Sequence, residues 1–429
     1  MVIIIHILIG IAVVGLLGEI EQIFIPLYLA FIAHSFFVLI ILKVFKDIKN
    51  PFSIYSIMYL TFMVLGLLPF AFIVYVNMII FKMIALGFYF YTAGYAIARK
   101  HIKYPINNKI NTNHLDLPNI FFWVIFFVGL ISLVVFYKLA GAIPMLNKEM
   151  AENRALVAQG KGYYIQLFKF CVVPLYLILA IRLQRKSQLF DIKFLIMTSI
   201  VFLGLLSTGY RSYSLEVVLT MLLIYYFSLN KQFRLRTAIA VAFPMFIFIV
   251  AVGYYRISAD DKLTALLTET GLPFYVNLIN MDYILDKFPK TIPFQYGSTY
   301  LMNFLMLRPG PDLDFTMWLR EQLALMHFSG GATPSIIGEW YLNFGNIGMI
   351  GMFLIGVMIC FVERCLYGAK NVYTLVIFIT ITLYLTKSIR GGISSVLLEA
   401  IINIGLIKAI EYTSWFKIFG RQYEYQKNN

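Results

Sequence analysis

Charge is scarce in this chain. Only 13% of its 429 residues are Asp, Glu, Lys or Arg, while 61% are hydrophobic and the mean hydropathy is +0.81. Soluble domains run near about 25% charged and about 45–50% apolar, so the shortage excludes an ordinary soluble fold and points to an integral membrane protein. Cysteine is scarcer still. Cys171, Cys360 and Cys365 lie in or beside apolar runs, and their spacing fits neither a disulfide framework nor a zinc site, which leaves them as packing residues. Metal-binding patterns are missing from the candidate outer loops: DLD at 312–314 has the right letters but reads as the start of an amphipathic helix. No metal and no cofactor is therefore expected. Internal repeats are also absent, which argues against a transporter built from two homologous bundles. The first apolar run, Val2 to Gly18, has no basic flank before it and no small-residue cleavage site after it, so it is predicted to be a retained helix.

What the sequence has in abundance is apolar runs close to the length of a membrane helix, about 20 residues. Their spans are 2–18, 23–44, 54–76, 78–98, 120–140, 164–182, 190–207, 213–229, 237–254, 345–363, 371–387 and 393–411. This predicts an all-α polytopic membrane protein with about twelve transmembrane helices forming one integral membrane domain over 1–429. The formal charge of +14 would suit nucleic acid if it were gathered on a soluble face. Instead the basic residues recur after every even-numbered run, as in Lys43, Lys46 and Lys49, or Arg182, Arg185 and Lys186. That is the positive-inside pattern, which explains the charge by topology and excludes a nucleic-acid partner. It also places both termini in the cytoplasm.

Most outward loops are then very short. The exceptions are a shorter extracytoplasmic loop at 141–163 and a large one at 255–344. Within the large loop, DLDFTMWLREQLALMHF (312–328) carries Phe315, Trp318, Leu319, Leu323 and Met326 at helical spacing. This predicts an amphipathic helix lying on the membrane surface. LPFYVNLINMDYILDKF (272–288) reads as a second short helix. Further on, HFSGGATPSIIGEWYLNFGNIG (327–348) leads into the tenth apolar run, with Pro334 and Ser335 starting a helix capped by Thr333 and Glu339 about one turn inside it.

Ionisable groups at membrane depth cost about 2.5–3.5 kcal/mol each on insertion scales, so each is a functional candidate. Arg211 and Arg390 lie in tight, Gly-flanked turns, TGYRSYS and SIRGG, with Glu399 about two turns deeper than Arg390 and placed to neutralise it. Arg154 and Lys161 lie in the shorter loop; Arg256, Arg308, His327, Glu339 and Tyr341 lie in the large one. An arginine at an interface also serves as a snorkelling anchor. Several converging on one face instead suggest an anionic ligand, and guanidinium groups hold phosphate oxygens bidentately. They also stabilise a departing pyrophosphate as its charge develops. His327 or Glu339 would accept the proton of an incoming hydroxyl. Tyr163, Tyr164, Tyr296 and Tyr341 are candidates for stacking on sugars.

GKGYY (160–164), TGYRSYSL (208–215), RPGP (308–311), GGATPSIIGEWYLNFGNIGMIG (330–351) and SIRGG (388–392) together resemble the Wzy-type oligosaccharide repeat-unit polymerases of O-antigen and capsule assembly. The resemblance implies a GT-C-like helical fold with a cavity open to the outer face of the bacterial inner membrane. It implies inverting glycosyl transfer between undecaprenyl-pyrophosphate-linked oligosaccharides, without a nucleotide sugar or an obligatory metal. On this chain, Arg211 matches the arginine that binds the pyrophosphate in relatives, Arg308 and Arg390 match basic positions around the same cavity, and Glu339 lies in the Gly-Glu-x-Tyr part of the match. Some relatives carry paired arginine-to-glycine repeats in two outward loops; here Arg154 reaches only Gly160 and Gly162. A chain-length-regulating co-polymerase and the membrane lipid itself are the partners implied. The rival readings are an O-antigen ligase, which shares the donor, and a lipid-linked oligosaccharide flippase, which needs polar groups along the midplane.

Overall fold

The computed structural model describes residues 2–17, 24–67, 77–102, 120–147, 157, 160–186, 191–256, 262–307, 314–325 and 331–428. Among these residues every regular element is helical. That is what hydrocarbon dictates, because a helix satisfies its own N–H and C=O groups where water cannot. The first helices are α1 (Val2–Leu17), α2 (Phe24–Ile41), α3 (Pro51–Tyr59), α4 (Met78–His101), α5 (Ile120–Ala140), α6 (Gly162–Lys169), α7 (Val172–Arg185) and α8 (Ile192–Ser207). They are followed by α9 (Arg211–Ser228), α10 (Leu235–Arg256), α11 (Lys262–Lys287), α12 (Phe315–Gln322), α13 (Ser335–Phe344), α14 (Ile350–Tyr367), α15 (Val372–Gly391) and α16 (Ser394–Asn428).

Seven helical segments of the described residues are long and apolar enough to cross a membrane, two of them joining α6 to α7 and α13 to α14. Shorter apolar helices occupy Ile4–Leu16, Pro51–Val64, Ile192–Ser207 and Ser212–Ser228. The chain is thus an all-α, multi-pass membrane protein. Local chemistry fixes several helix starts. The side chains of Asn50, Asn77, Asp191, Asp314 and Asn371 each accept a hydrogen bond from a backbone N–H in the first turn that follows. Each such cap stabilises its helix by about 1 kcal/mol.

The helices sort into an inner and an outer set. α4, α7 and α15 are largely buried, whereas α1, α2, α5, α8 and α10 turn large aliphatic side chains such as Leu16, Ile25, Ile120 and Ile192 outward. One core joins α1, α2 and α4 with α11, α13 and α14; a second joins α5 to α9 with α15 and α16. α15 contributes to both, through Leu385 and Ile389 on one side and Val376 and Ile379 on the other. Contact between α4 and α14 is close: a Cβ on Gly94 or Gly356 would collide with the backbone of Phe353 or Tyr91. Small residues let helices approach in this way where no hydrophobic effect drives them together.

At the end of the bundle carrying the 47–50 loop, Ile48 N–H donates to Phe233 O (3.0 Å), and Asp47 accepts from Phe233 N–H (3.1 Å). The buried carboxylate of Glu363 accepts there from Asn50 Nδ2 (2.7 Å) and the Tyr95 hydroxyl (2.8 Å).

The described residues of the large loop include two packed helices. The short helix read at 272–288 is the second part of α11, which begins at Lys262. The amphipathic segment forms α12, yet its apolar side is not laid on the membrane surface. Phe315, Leu319 and Leu323 are buried against Ile284 and Phe288 of α11 and Leu342 of α13, in a small core of their own. Thr333 does not cap α13 either: its hydroxyl donates to Asn277 Oδ1 (2.6 Å), and its carbonyl accepts from Asn280 (2.9 Å). The first turn of α13 is instead closed by Ser335, whose Oγ accepts from Gly338 N–H (3.1 Å).

Candidate functional site

Glu339 lies one turn into α13 and is 1% exposed. Its carboxylate meets the start of α16. Oε2 accepts from Ile393 N–H, and Oε1 accepts from Ser394 N–H (3.1 Å) and from the Ser394 hydroxyl. The neighbouring Asn343 is fixed from the same turn, its Nδ2 donating to the Thr299 hydroxyl (2.8 Å) and to Glu339 O (2.9 Å). An ionised carboxylate has about four acceptor positions, and three donors from two adjacent residues engage both oxygens. A negative charge at a helix N-terminus is also favoured by the helix dipole. Gly392 makes the approach possible. It holds a φ of +79°, and a Cβ there would collide with the Glu339 carboxyl group. The large loop is tied to the same point: Asn303 Nδ2 donates to Ser394 O (2.7 Å), and Asn303 Oδ1 accepts from Phe315 N–H (2.8 Å).

Beside this junction, four ionisable side chains from four helices form one network. Lys387 Nζ of α15 lies 2.7 Å from Glu216 Oε2 of α9 and 3.1 Å from Glu399 Oε2 of α16. Lys169, at the end of α6, pairs with Glu399 Oε1, and Gln166 Nε2 donates to the same oxygen at 3.5 Å. Lys169 Nζ also sits 3.5 Å above the Tyr213 ring, and Lys387 Nζ is 5.1 Å from the Tyr384 ring. At about 1.5 Å of rise per residue, Glu216, Lys387 and Glu399 lie about 6–8 Å inside the nearest ends of their helices. The four share a depth because their helices share a register. Two cations face two anions, so the network carries no net charge into a low-dielectric environment. The Lys169–Glu399 pair is the least exposed part, at 10% and 11%, and removing one of these two would leave an uncompensated charge with little access to water, which costs about 3–5 kcal/mol.

This network corrects one expectation: Glu399 pairs with Lys169 and Lys387 and not with Arg390. The Arg390 guanidinium carbon lies 6.0 Å from the ring of Phe62, which sits in the π-helical turn Leu60–Val64 that follows α3. The Glu216–Lys387 contact brings the start of α9 and the end of α15 to the same end of the bundle, so the Arg211 backbone and Arg390 share that end. Lys161 is partly exposed immediately before α6, at the same end as Lys169's helix start. Tyr341 is half-buried, with its hydroxyl 3.4 Å from Phe288 O and its ring edge-on to Phe294 at 5.9 Å. Tyr163 and Tyr164 pack on one another with ring centroids 4.1 Å apart. Tyr296 is exposed. Arg154, Arg308 and His327 lie outside the described residues, as do the side chains of Arg211 and Arg256.

Lys169, Glu216 and Lys387 are absent from the candidates drawn from sequence, although a signal for them was available. Each lies inside an apolar run or at its edge, where an ionised group is expensive unless paired or used. They stand within the spans and not in the outward loops. Among the described residues no group of three or more His, Cys, Asp or Glu side chains is arranged to hold a metal ion.

The fold and this site define a class: a multi-pass helical membrane protein whose buried ion-pair network and cationic side chains gather at one end of the bundle. The chain belongs to the O-antigen polysaccharide polymerase Wzy family, whose model matches residues 1–416. It is therefore a repeat-unit polymerase of the glycosyltransferase type in the bacterial inner membrane. No curated protein and no solved structure matches it.

Proposed function

We propose that the chain joins undecaprenyl-pyrophosphate-linked oligosaccharide repeat units into a surface polysaccharide by inverting glycosyl transfer at the outer face of the inner membrane. The family match over nearly the whole chain carries this reading. The gathering of Arg390, Lys161 and the start of α9 at one end of the bundle supports the site. In the proposed topology the seven long segments, the four shorter apolar helices and the start of α16 make twelve crossings with both termini inside. The 141–163 and 255–344 loops then face outward. A hydroxyl of the newly flipped unit attacks the anomeric carbon of the growing chain, whose bond to its lipid pyrophosphate breaks. Arg211, Arg308 and Arg390 take up the charge that develops on the pyrophosphate. Arg154, Lys161 and Arg256 extend the basic lining, and Tyr341 lies on the sugar side. Glu339 has a structural role, because its carboxylate holds the start of α16 against α13. His327 remains a candidate proton acceptor within the large loop.

The test is the surface polysaccharide ladder of a deletion strain. Loss of the ladder with single repeat units retained, and its return with the wild-type chain on a plasmid, is the expected result. Full-length chains left unattached would instead make the protein a ligase and overturn this reading. Arg211→Ala and Arg390→Ala should each lower the polymerisation rate by about 100-fold at wild-type expression, the scale for losing one preorganised donor to a developing negative charge.

A further inference from the structure

The buried ion-pair network contains one carboxylate that its neighbours do not use up. Glu339 has both oxygens engaged by the start of α16. Glu399 spends both oxygens on two lysines, and its side chain is 11% exposed. Glu363 lies with Asn50 and Tyr95, near the 47–50 loop at the opposite end. Asp314 caps α12, with Oδ1 accepting from Met317 N–H (2.8 Å) and the Thr316 hydroxyl (2.7 Å). Glu216 differs from all of these. Its Oε2 takes one ion pair, with Lys387, and its Oε1 has no hydrogen-bond partner among the described residues. Its side chain stays 20% exposed and that of Lys387 32% exposed, the two most accessible members of the network.

Resting on the polymerase reading above, we infer that Glu216 is the general base of the reaction, accepting the proton of the acceptor sugar's hydroxyl on Oε1 while Lys387 holds Oε2. Three observations converge on this. Glu216 lies on α9 five residues after Arg211, and Lys387 lies on α15 three residues before Arg390, so the pair sits just below the two arginines proposed to meet the pyrophosphate. Lys387 fixes one carboxylate oxygen and balances its charge, so the other oxygen is held in a set orientation. The rings of Tyr213 and Tyr384 flank the lysines of the network, giving a polar and aromatic surround of the kind that holds a sugar. In the step, the hydroxyl proton passes to Glu216 Oε1 and the hydroxyl oxygen bonds to the anomeric carbon. The bond from that carbon to the pyrophosphate breaks, its electron pair leaves on the pyrophosphate, and the proton on Glu216 is later released to water.

The network is also structural, so the test must separate the two roles. Glu216→Gln leaves two lysines facing one carboxylate, whereas Glu216→Gln/Lys387→Met restores charge balance around the Lys169–Glu399 pair. Glu216→Asp keeps the charge but withdraws the carboxylate by one methylene. Full-length variants are expressed in the deletion strain; ladder synthesis is timed, and thermal unfolding is followed in detergent. Glu216→Gln should lower polymerisation by at least about 100-fold, within the range for removing a general base. Glu216→Asp should lose at least tenfold while unfolding near the wild-type temperature. The double variant should recover thermal stability towards wild type yet remain unable to polymerise. Wild-type rates from Glu216→Asp, or from the double variant once stable, would make the network purely structural and overturn the inference. Because the wild-type plasmid must restore the ladder in the same strain, failure of this inference is distinct from failure of the polymerase reading.

Discussion

Replacing Glu339 by Gln separates a structural carboxylate from a chemical one. In the folded chain both oxygens of Glu339 accept, one from Ile393 N–H and the other from Ser394 N–H and Oγ. Glutamine is nearly isosteric, but one end becomes an NH₂ donor, so at least one backbone N–H at the start of α16 would face another donor. A buried donor left unsatisfied costs about 1–3 kcal/mol. Loss of the negative charge at the helix N-terminus adds about 0.3–1 kcal/mol. Together these predict a loss of about 1–4 kcal/mol and a fall of several degrees in the unfolding temperature. Thermal unfolding of the purified protein in detergent gives the first quantity. Ladder synthesis normalised to folded protein gives the second, and it should stay close to wild type well below the unfolding temperature. Unchanged stability together with a polymerisation loss of about 100-fold or more would make Glu339 a proton acceptor and refute the assignment of its carboxylate to α16.

Gly392→Ala should be more damaging than Glu339→Gln at the same junction. It forces an alanine into a φ of +79° and drives its Cβ into the Glu339 carboxyl group, so folded yield and unfolding temperature should both fall. At another bundle end, Arg182 donates to both oxygens of Asp191 at 2.9 and 2.8 Å. Those bonds, and the N–H of Phe194, hold the Asp191 carboxyl below the usual carboxylate range. A depressed folded-state pKa contributes stability at neutral pH that is lost as pH falls through it. Unfolding temperatures measured from pH 7 downward should therefore decline less steeply at acid pH in Asp191→Asn than in the wild type.

The ionic network and the Glu339 junction form one mechanical unit. α16 is held at its first residue by Glu339 and at Glu399 by two lysines, and α15 is shared between the two cores of the bundle. Displacing α13 would therefore be felt at Lys387 and Glu216 through the start of α16. This explains why a Gly-punctuated polar segment immediately precedes the apolar run of α14. Gly331 lies against Thr316 of α12, Thr333 is bonded to Asn277 of α11, and Glu339 reaches α16, so the segment joins the large loop to the last helices.

The sequence by itself determined the helical, membrane-embedded class, because 61% apolar residues broken into runs of membrane length leave helices as the backbone's way of pairing its polar groups. It also singled out Arg390, Glu339 and the motifs of 330–351 and 388–392 as candidates, since short Gly-flanked turns and isolated charges are visible as letters. Tertiary structure decided which charges meet. Lys169, Glu216, Lys387 and Glu399 are separated by up to 230 positions along the chain, and their pairing depends on the depth at which four helices are held against one another. Periodicity reports which face of a helix is apolar but carries no information on vertical register between helices. That register is set by close contacts such as those at Gly94 and Gly392, and it turns the expected Glu399–Arg390 pair into a Lys169–Glu399–Lys387–Glu216 chain.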